Sequence, residues 1–415
     1  MKAKKTKNTD SSLKKATKKA DGVVEKSHKK PTKKSSKIMF ACGFLGLAGG
    51  IGLGVAAFLL PTKTAPGVVF PEIPSKTDST DIYSNLTGLP LASEADVTAP
   101  AYCIQTPNGT DGARPQAGLN QAGVIFEAIA ESGITRFAAI YQNPTSAIIG
   151  PIRSLRIYYL KWDTPFDCTI VHAGGAPDAL AAVANGYKDL TEDYSYMYRG
   201  TYGSRLWNNL FTTSSYLKKM SSDRGYNTSN IKGFSRMTPD ESARARVDSL
   251  VEEKLDIVKP STGKTSTLKP AVDRIAVNFG GWATFNVRYK YDSSRNVYLR
   301  EYETGAAHNV YECPEKDMGE KNPEDICTLT QLAPSVVAVI KVSERRASDN
   351  YHEDITAIGS GDAVIFQNGT AVEGNWRKES DADQIKFYDK SGTEIKLAPG
   401  QTFVEAVPNY GSIDY

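Results

Sequence analysis

The stretch Gly123-Val-Ile-Phe-Glu-Ala-Ile-Ala-Glu131, followed by Ser132-Gly133 and then by Thr135 to Gln142, decides how this chain folds. It reads either as a helix or as the first arm of a hairpin. The apolar run is short, the second arm Arg136-Phe-Ala-Ala-Ile-Tyr141 is strand-like and Ser-Gly is turn chemistry, so a hairpin is expected. Glu127 and Glu131 share a face in either reading. On a helix they would lie about 6 Å apart and could work as an acid/base pair, whereas four residues of strand separate them by about 13 Å. The hairpin therefore argues against a two-carboxylate catalytic dyad.

Downstream, Gly150-Pro-Ile-Arg-Ser-Leu-Arg-Ile-Tyr-Tyr159 opens with a Gly-Pro break and sets Arg153 and Arg156 three residues apart. On a helix the two arginines would project from one face. Phe166 to His172 reads as a buried strand, Ala173-Gly-Gly-Ala176 as a tight loop and Pro177 to Gly186 as a helix with Pro near its first position. Such a strand-Gly-Gly-helix unit sets free backbone N–H groups of Gly174 and Gly175 beside His172, a geometry suited to an anion. Thr213 to Asp223 reads as an amphipathic helix ending before Gly225, after an element at Leu206 to Leu210. Pro239 to Val258 reads as a further helix, and Lys259 to Lys269 as a polar connector.

Beyond that connector the hydrophobic pattern changes to period two. Arg274–Phe279, Thr284–Tyr291, Val297–Glu303, Ser335–Val342, Ala363–Gln367, Gln384–Tyr388 and Thr402–Val407 read as short strands separated by Asp-Ser-Ser, Gln-Asn-Gly and Lys-Ser-Gly-Thr turns. The expected fold class is α+β: a mixed α/β first domain over residues 86–258 and a β-rich second domain over 270–408, since about 330 residues exceed what one core usually serves.

Upstream, Ile38 to Leu60 are 23 positions without a charge, and the 37 residues before them carry 14 Lys against Asp10, Asp21 and Glu25. About 20 apolar residues cross the hydrocarbon core as a helix, and a lysine excess holds its flank in the cytoplasm, so a single-pass anchor is expected with everything after Leu60 outside. A cleaved signal peptide is the competing reading. The run is longer than a signal core and Leu60-Pro61-Thr62-Lys63 offers no small-x-small site. Small-xxx-small spacings at Gly46/Gly50 and Gly50/Gly54 would let two spans dimerise. Residues 61–85 are a Pro-rich linker. With the tail's net charge of +11 removed from the chain's +3, the remainder carries −8, which disfavours nucleic-acid binding by the folded part.

Four cysteines lie beyond the span. Cys103, Cys168, Cys313 and Cys327 allow three full pairings: Cys313 and Cys327 flank a polar loop suited to a disulfide, Cys168 within an apolar strand reads either as a buried thiol or as the partner of Cys103, and no Cys/His spacing supports a zinc site. No metal or cofactor is expected.

The chain resembles the YerB-like bacterial extracytoplasmic family. The resemblance is carried by Leu86-Thr-Gly-Leu-Pro90, Ala113-Arg-Pro-Gln-Ala-Gly-Leu119, Gly133-Ile-Thr-Arg-Phe137, Gly150-Pro-Ile-Arg-Ser154 and Val171-His-Ala-Gly-Gly175. In the second half Tyr298-x-Arg300, His352-x-Asp354, Gly359-Ser-Gly-Asp-Ala363 and Asn375-Trp-Arg377 fit the same family. It implies a surface-exposed, membrane-tethered protein and carries no activity with it. Two departures qualify the resemblance: Asn208 stands where members often have His, and members are commonly lipid-anchored.

Arg114, Arg136, Arg153 and Arg156 sit in motifs flanked by Gly and Pro. Arginine forks bind carboxylate or phosphate at two points, which suits an anionic wall polymer or lipid-linked phosphate; alternatively they form structural ion pairs with Glu127, Glu131 and Asp178. Ser154, between two arginines, could hold phosphate, and His172 stands at a strand end where open sheets place ligands. GxSxG, HExxH, Walker and GxGxxG signatures are missing, and Gly359-Ser360-Gly361 reads as a hairpin turn. The leading expectation is a membrane-tethered binding module recognising an anionic wall component or partner protein through Arg114, Glu127, Glu131, Arg136, Arg153, Ser154, Arg156, His172, Gly174 and Gly175. The alternatives are an enzyme acting on phosphorylated or lipid-linked wall precursors, and an envelope scaffold.

Overall fold

The decisive stretch forms a hairpin. The computed structural model describes residues 82–201, 207–246, 272–317 and 321–415. The expected tail, membrane span and most of the linker lie outside these residues, as do the polar connector and the second half of the helix expected over 239–258, whose residues 239–246 are helical. Among the described residues no helix is long and apolar enough to cross a membrane.

After a short helix α1 (Glu94–Val97), strand β1 (Ala101–Pro107) leads to the hairpin β2 (Val124–Glu131) and β3 (Ile134–Gln142). Helix α2 (Ile157–Asp163), strand β4 (Thr169–His172), helix α3 (Pro177–Val183) and strand β5 (Asp189–Thr191) follow. Two short strands, β6 (Tyr198–Arg199) and β7 (Leu210–Phe211), precede helix α4 (Ser214–Arg224). Thr213 caps α4 by accepting from the Tyr216 N–H, and Gly225 ends it in the left-handed region at φ 71°. The second half supplies β8 (Arg274–Asn278), β9 (Val287–Asp292), β10 (Val297–Tyr302), β11 (Asn309–Glu312), β12 (Thr328–Gln331), β13 (Val336–Val342), β14 (Glu344–Arg346) and β15 (Glu353–Ile355). It closes with β16 (Gly359–Gln367), β17 (Thr370–Lys378), β18 (Lys386–Asp389), β19 (Thr402–Pro408) and β20 (Ser412–Asp414).

The two expected domains share one sheet. Its ten strands run β18-β17-β16-β13-β19-β2-β3-β1-β4-β5, and the parallel ladder of β19 on β2 joins the halves, with Phe403 opposite Ile125 and Glu405 opposite Glu127. Residues from both halves belong to one compact unit. The reason lies in β13 and β19, whose residues are apolar on successive positions and so must be covered on both faces and flanked on both edges. A smaller sheet, β10-β9-β8-β20, covers part of one face through Ile275, Val277, Val287, Tyr298, Val337 and Phe366. On the other face α2 packs Tyr158, Tyr159 and Trp162 against Phe126, whose ring stacks on Trp162 at 5.4 Å. Each such fully buried large side chain contributes roughly 1.5–3 kcal/mol. The result is a strand-rich α+β fold with few helices.

Two expectations are corrected here, and the open reading of Cys168 is decided. Cys168 is not a free thiol: it is disulfide-bonded to Cys103, at a Cα separation of 5.7 Å, because the parallel pairing of β1 with β4 brings the two chain segments side by side. Cys313 and Cys327 are also bonded. The strand expected from Phe166 starts only at Thr169, since Pro165 lies in a single 3₁₀ turn and Asp167 reverses the chain at φ 48°. Gly359-Ser360-Gly361 is not a turn but the first three residues of β16, paired with Lys378, Arg377 and Trp376. Glycine is required at 361 because a Cβ there would meet the Lys341 carbonyl at 2.5 Å and the Trp376 indole at 2.7 Å.

Candidate functional site

The tip of the β2–β3 hairpin organises the site. The β2–β3 register shifts between Ile129 and Glu131, a β-bulge that reverses side-chain alternation for the last residue of β2. Glu127 and Glu131 therefore do not share a face. Glu127 points toward Arg300 and Asn108, whereas Glu131 reaches Arg136 and Arg156 on the side of α2. The bulge, together with strand spacing, removes the carboxylate dyad.

Glu131 holds two buried arginines. Arg136 donates to the Ser154 carbonyl at 2.7 Å and pairs with Glu131 at 3.3 Å, while Arg156 pairs with the other Glu131 oxygen and donates to the Leu155 carbonyl at 2.7 Å. Arg153 and Arg156 were expected on one helical face. Instead residues 150–155 are extended, because the Ile152 N–H donates to the Leu210 carbonyl and the Arg153 N–H to Gln105, and α2 begins only at Ile157 with Arg156 as its cap. Arg153 consequently leaves the Arg136–Glu131–Arg156 cluster. Among the described residues its guanidinium has no hydrogen-bond or ion-pair partner. Burial and then the like charge of Arg136 lower its pKa.

Arg153 lines a cleft of about 500 Å³ together with Asn108, Asp111, Glu131, Thr135 and Arg136. Trp282, Phe285 and Tyr351 complete its walls. Asn208, which takes the place of a histidine in the resemblance, lines the same cleft and donates to Asp111 at 3.0 Å, fixing the 109–111 loop. Trp282 reaches the rim because Gly281 packs against Gly133: a Cβ on Gly281 would stand 3.0 Å from the Gly133 Cα. Its indole N–H donates to the Ser132 carbonyl at 2.8 Å.

Behind the cleft lies a buried charge network. Arg300 is fully buried and pairs with Glu127; its Nε accepts no proton but donates to the Tyr289 hydroxyl at 3.1 Å. His308 accepts from Arg300 on Nδ1 and donates from Nε2 to Gln116 at 3.0 Å. Asn108 and Thr135 both donate to Glu127, at 3.0 and 2.6 Å, and Arg114 donates to Asn108 at 2.8 Å while its guanidinium lies 4.3 Å from the Tyr302 ring centre. Burial, followed by the neighbouring Glu127, pushes the Glu405 carboxyl well above the carboxylate range. Burial and the cations Arg300 and Arg114 push His308 well below the usual imidazole value. For Arg300, burial is outweighed by Glu127, Tyr289 and Glu405, so its pKa rises. These directions keep Arg300 charged and Glu405 and His308 neutral, while Glu127 is bonded to Arg300, Asn108 and Thr135. Glu127 is thus committed to structure.

In the expected strand-Gly-Gly-helix unit the histidine is withdrawn from solvent, whereas Gly174 and Gly175 are half-buried. His172 is fully buried, with Nδ1 2.6 Å from the Gly174 carbonyl and Nε2 2.9 Å from Asp189. The Gly174 carbonyl also accepts from the Leu155 N–H, the Gly175 loop bridges to Leu155, and α3 spans only Pro177–Val183. Ser154 contributes its carbonyl to Arg136 and is absent from the cleft lining. Of the ten expected residues, Glu131, Arg136 and Arg153 line one cleft, and Arg156 lines a neighbouring one with Arg345, Arg346 and His352. Asp111, Trp282, Tyr351 and Glu405 escaped the sequence reading. Arg300, inside the Tyr298-x-Arg300 motif, and Asn208, at a departure from the resemblance, carried a signal. No group of three or more metal-ligating side chains occurs among the described residues.

The fold and site define an α+β protein built on one large mixed sheet, with an arginine-lined cleft beside a hairpin tip. Residues 86–227 match the N-terminal domain, and residues 275–404 the C-terminal domain, of the protein of unknown function DUF3048, and the chain belongs to that family. It is 27% identical over 328 residues to the putative lipoprotein YerB of Bacillus subtilis (strain 168), covering 78% of this chain and 86% of the relative. The crystal structure of YerB protein from Bacillus subtilis has the same fold, with a TM-score of 0.61 at 22% identity, covering 80% of this chain and 100% of that one.

Proposed function

We propose that this chain is an extracytoplasmic, membrane-tethered binding protein that takes an anionic ligand in the cleft beside the β2–β3 tip. The observation that carries this reading is Arg153, whose guanidinium lines the cleft without a hydrogen-bond or ion-pair partner among the described residues, while Arg136 and Arg156 next to it are held by Glu131. A partly desolvated arginine that has the Asp111 carboxylate near it but no bonded ion-pair partner among the described residues is stabilised by a two-point contact with phosphate or carboxylate. The lysine-rich tail followed by 23 uncharged residues supports tethering, as does the lipoprotein description of the Bacillus subtilis relative. Binding is favoured over proton transfer, because Glu127 and His172 are both fully buried in hydrogen-bond networks away from solvent.

The test is thermal unfolding of the full chain in neutral detergent against increasing inorganic phosphate, in wild type and Arg153→Ala. A ligand at 100 times its Kd adds about 2.7 kcal/mol of stability. Salting-out raises Tm without saturating and in both proteins alike. The proposal expects a saturable shift in wild type only, and equal responses of the two proteins would overturn it.

A further inference from the structure

The cleft holds more than a cation. Asp111 is exposed, and among the described residues only its Oδ1 is engaged, by Asn208 at 3.0 Å, which leaves Oδ2 open to a donor from the ligand. A polyphosphate or another purely acceptor-bearing anion has no proton to give Asp111 and would be repelled by it. The occupant therefore needs hydroxyl donors as well as negative charge.

The walls specify the rest. Trp282 is 66% exposed and Tyr351 59% exposed, although both line this cleft and both are large aromatic rings. The indole is held by its edge through the bond to Ser132 and by the Gly281–Gly133 contact, so its faces stay available. An aromatic face is electron-rich and attracts the polarised C–H groups on the apolar face of a pyranose, and such flat rings supply contact area at little cost in conformational entropy.

Resting on the anion-binding reading above, we propose that the ligand is a sugar ring carrying an acidic substituent, a phosphate or a carboxylate. Arg153 takes the acidic group, the open Oδ2 of Asp111 takes a hydroxyl, and Trp282 with Tyr351 takes the ring face.

The experiment is saturation-transfer and titration NMR on the full chain in neutral detergent with four probes: glucose 1-phosphate, galacturonate, glycerol 1-phosphate and inorganic phosphate. Wild type is expected to bind both acidic sugars about tenfold more tightly than the two ring-free anions, with saturation reaching the ring C–H protons. Trp282→Ala is expected to remove that preference while leaving phosphate affinity unchanged, and Trp282→Phe to restore most of it. Arg153→Ala is expected to weaken all four. Equal affinity for all four probes in wild type would overturn the sugar assignment and leave the anion site standing. So would a Trp282→Ala effect that falls equally on inorganic phosphate, since the indole would then act only on the cleft's structure. Saturable binding of none of them would overturn both readings.

Discussion

Glu127 on β2 and Glu405 on β19 are register partners in a parallel ladder, both fully buried, and the single guanidinium of Arg300 lies between them. One cation cannot neutralise two carboxylates in the interior, so one of the pair keeps its proton. Burial and the charge of Glu127 assign that proton to Glu405, whose Oε1 also accepts from Tyr289. The ladder that fuses the two halves of the chain thus carries a net-neutral charge triad.

Removing the wrong partner exposes the asymmetry. Glu127→Gln removes the carboxylate bonded to Arg300 and leaves the buried cation only the more distant, protonated Glu405 at 3.8 Å, and is expected to cost about 3–5 kcal/mol. Glu405→Gln replaces a neutral acid by a neutral amide and is expected to stay within about 1.5 kcal/mol of wild type. Urea unfolding of both variants at pH 5, where Glu405 titration contributes little, measures the difference, and equal losses would contradict the assigned charge state.

The same triad sets a pH dependence. The folded pKa of Glu405 is raised, so the unfolded state binds fewer protons above the unfolded value, and the stability present at low pH is lost as pH rises toward the folded pKa. His308 is lowered, so its contribution is present above the unfolded imidazole value and lost as pH falls below it. Relative to Glu405→Gln, wild type is expected to lose up to about 1.4 kcal/mol per pH unit between pH 5 and the folded pKa. Urea midpoints of the pair at successive pH values read this slope directly; a flat difference would show Glu405 ionised in the fold.

Neighbouring arginines should separate cleanly. Arg136 is 6% exposed and bonded to Glu131 and the Ser154 carbonyl, so Arg136→Ala is expected to destabilise by about 3 kcal/mol. Arg153→Ala, which breaks no side-chain hydrogen bond or ion pair among the described residues, is expected to change stability by less than about 0.5 kcal/mol. Denaturant melts of the two variants decide, and a large loss at Arg153 would make it a structural residue.

The two disulfides differ in the length of chain they close. Cys103–Cys168 spans 65 residues and Cys313–Cys327 spans 14. Loop-closure entropy makes the first worth about 4 kcal/mol and the second about 3 kcal/mol. Paired Cys→Ser variants are expected to show the larger drop in urea midpoint for the first bridge.

Glu344, at the start of β14, provides a titration near neutrality. Burial raises its carboxyl to about 7, while the hydrogen bond from the Tyr410 hydroxyl at 3.0 Å opposes the rise. Carbon-13 NMR of the labelled carboxyl is expected to show a midpoint about 7 in wild type and a higher one in Tyr410→Phe, which removes the donor. A lower midpoint in the variant would reverse the assigned role of the hydroxyl.

The local elements were legible in the sequence and their assembly was not. Ser132-Gly133 and the apolar arms around it specified a hairpin, Gln367-Asn-Gly369 a turn between β16 and β17, and Thr213 with Gly225 the two ends of α4. These signals act over a few residues, where side-chain period and backbone φ preferences leave few conformations. The bulge that turns Glu131 away from Glu127 carried no such signal, because one extra residue in a ladder is visible only against its partner strand. The arginines illustrate the same division. Their flanking Gly and Pro residues marked them out, yet which were held and which was open depended on Glu131 and on the Gln105 and Leu210 carbonyls that keep residues 150–155 extended. Glu127 meets Arg300 across 173 residues of chain, and Trp282 enters the cleft only because Gly281 meets Gly133. Period and turn chemistry, being short-range, determined the strands and the hairpin. The shared sheet, the single proton on Glu405 and the opening beside Arg153 were decided by packing between segments far apart in sequence, where burial and Coulomb energy depend on distances that exist only after the chain has folded.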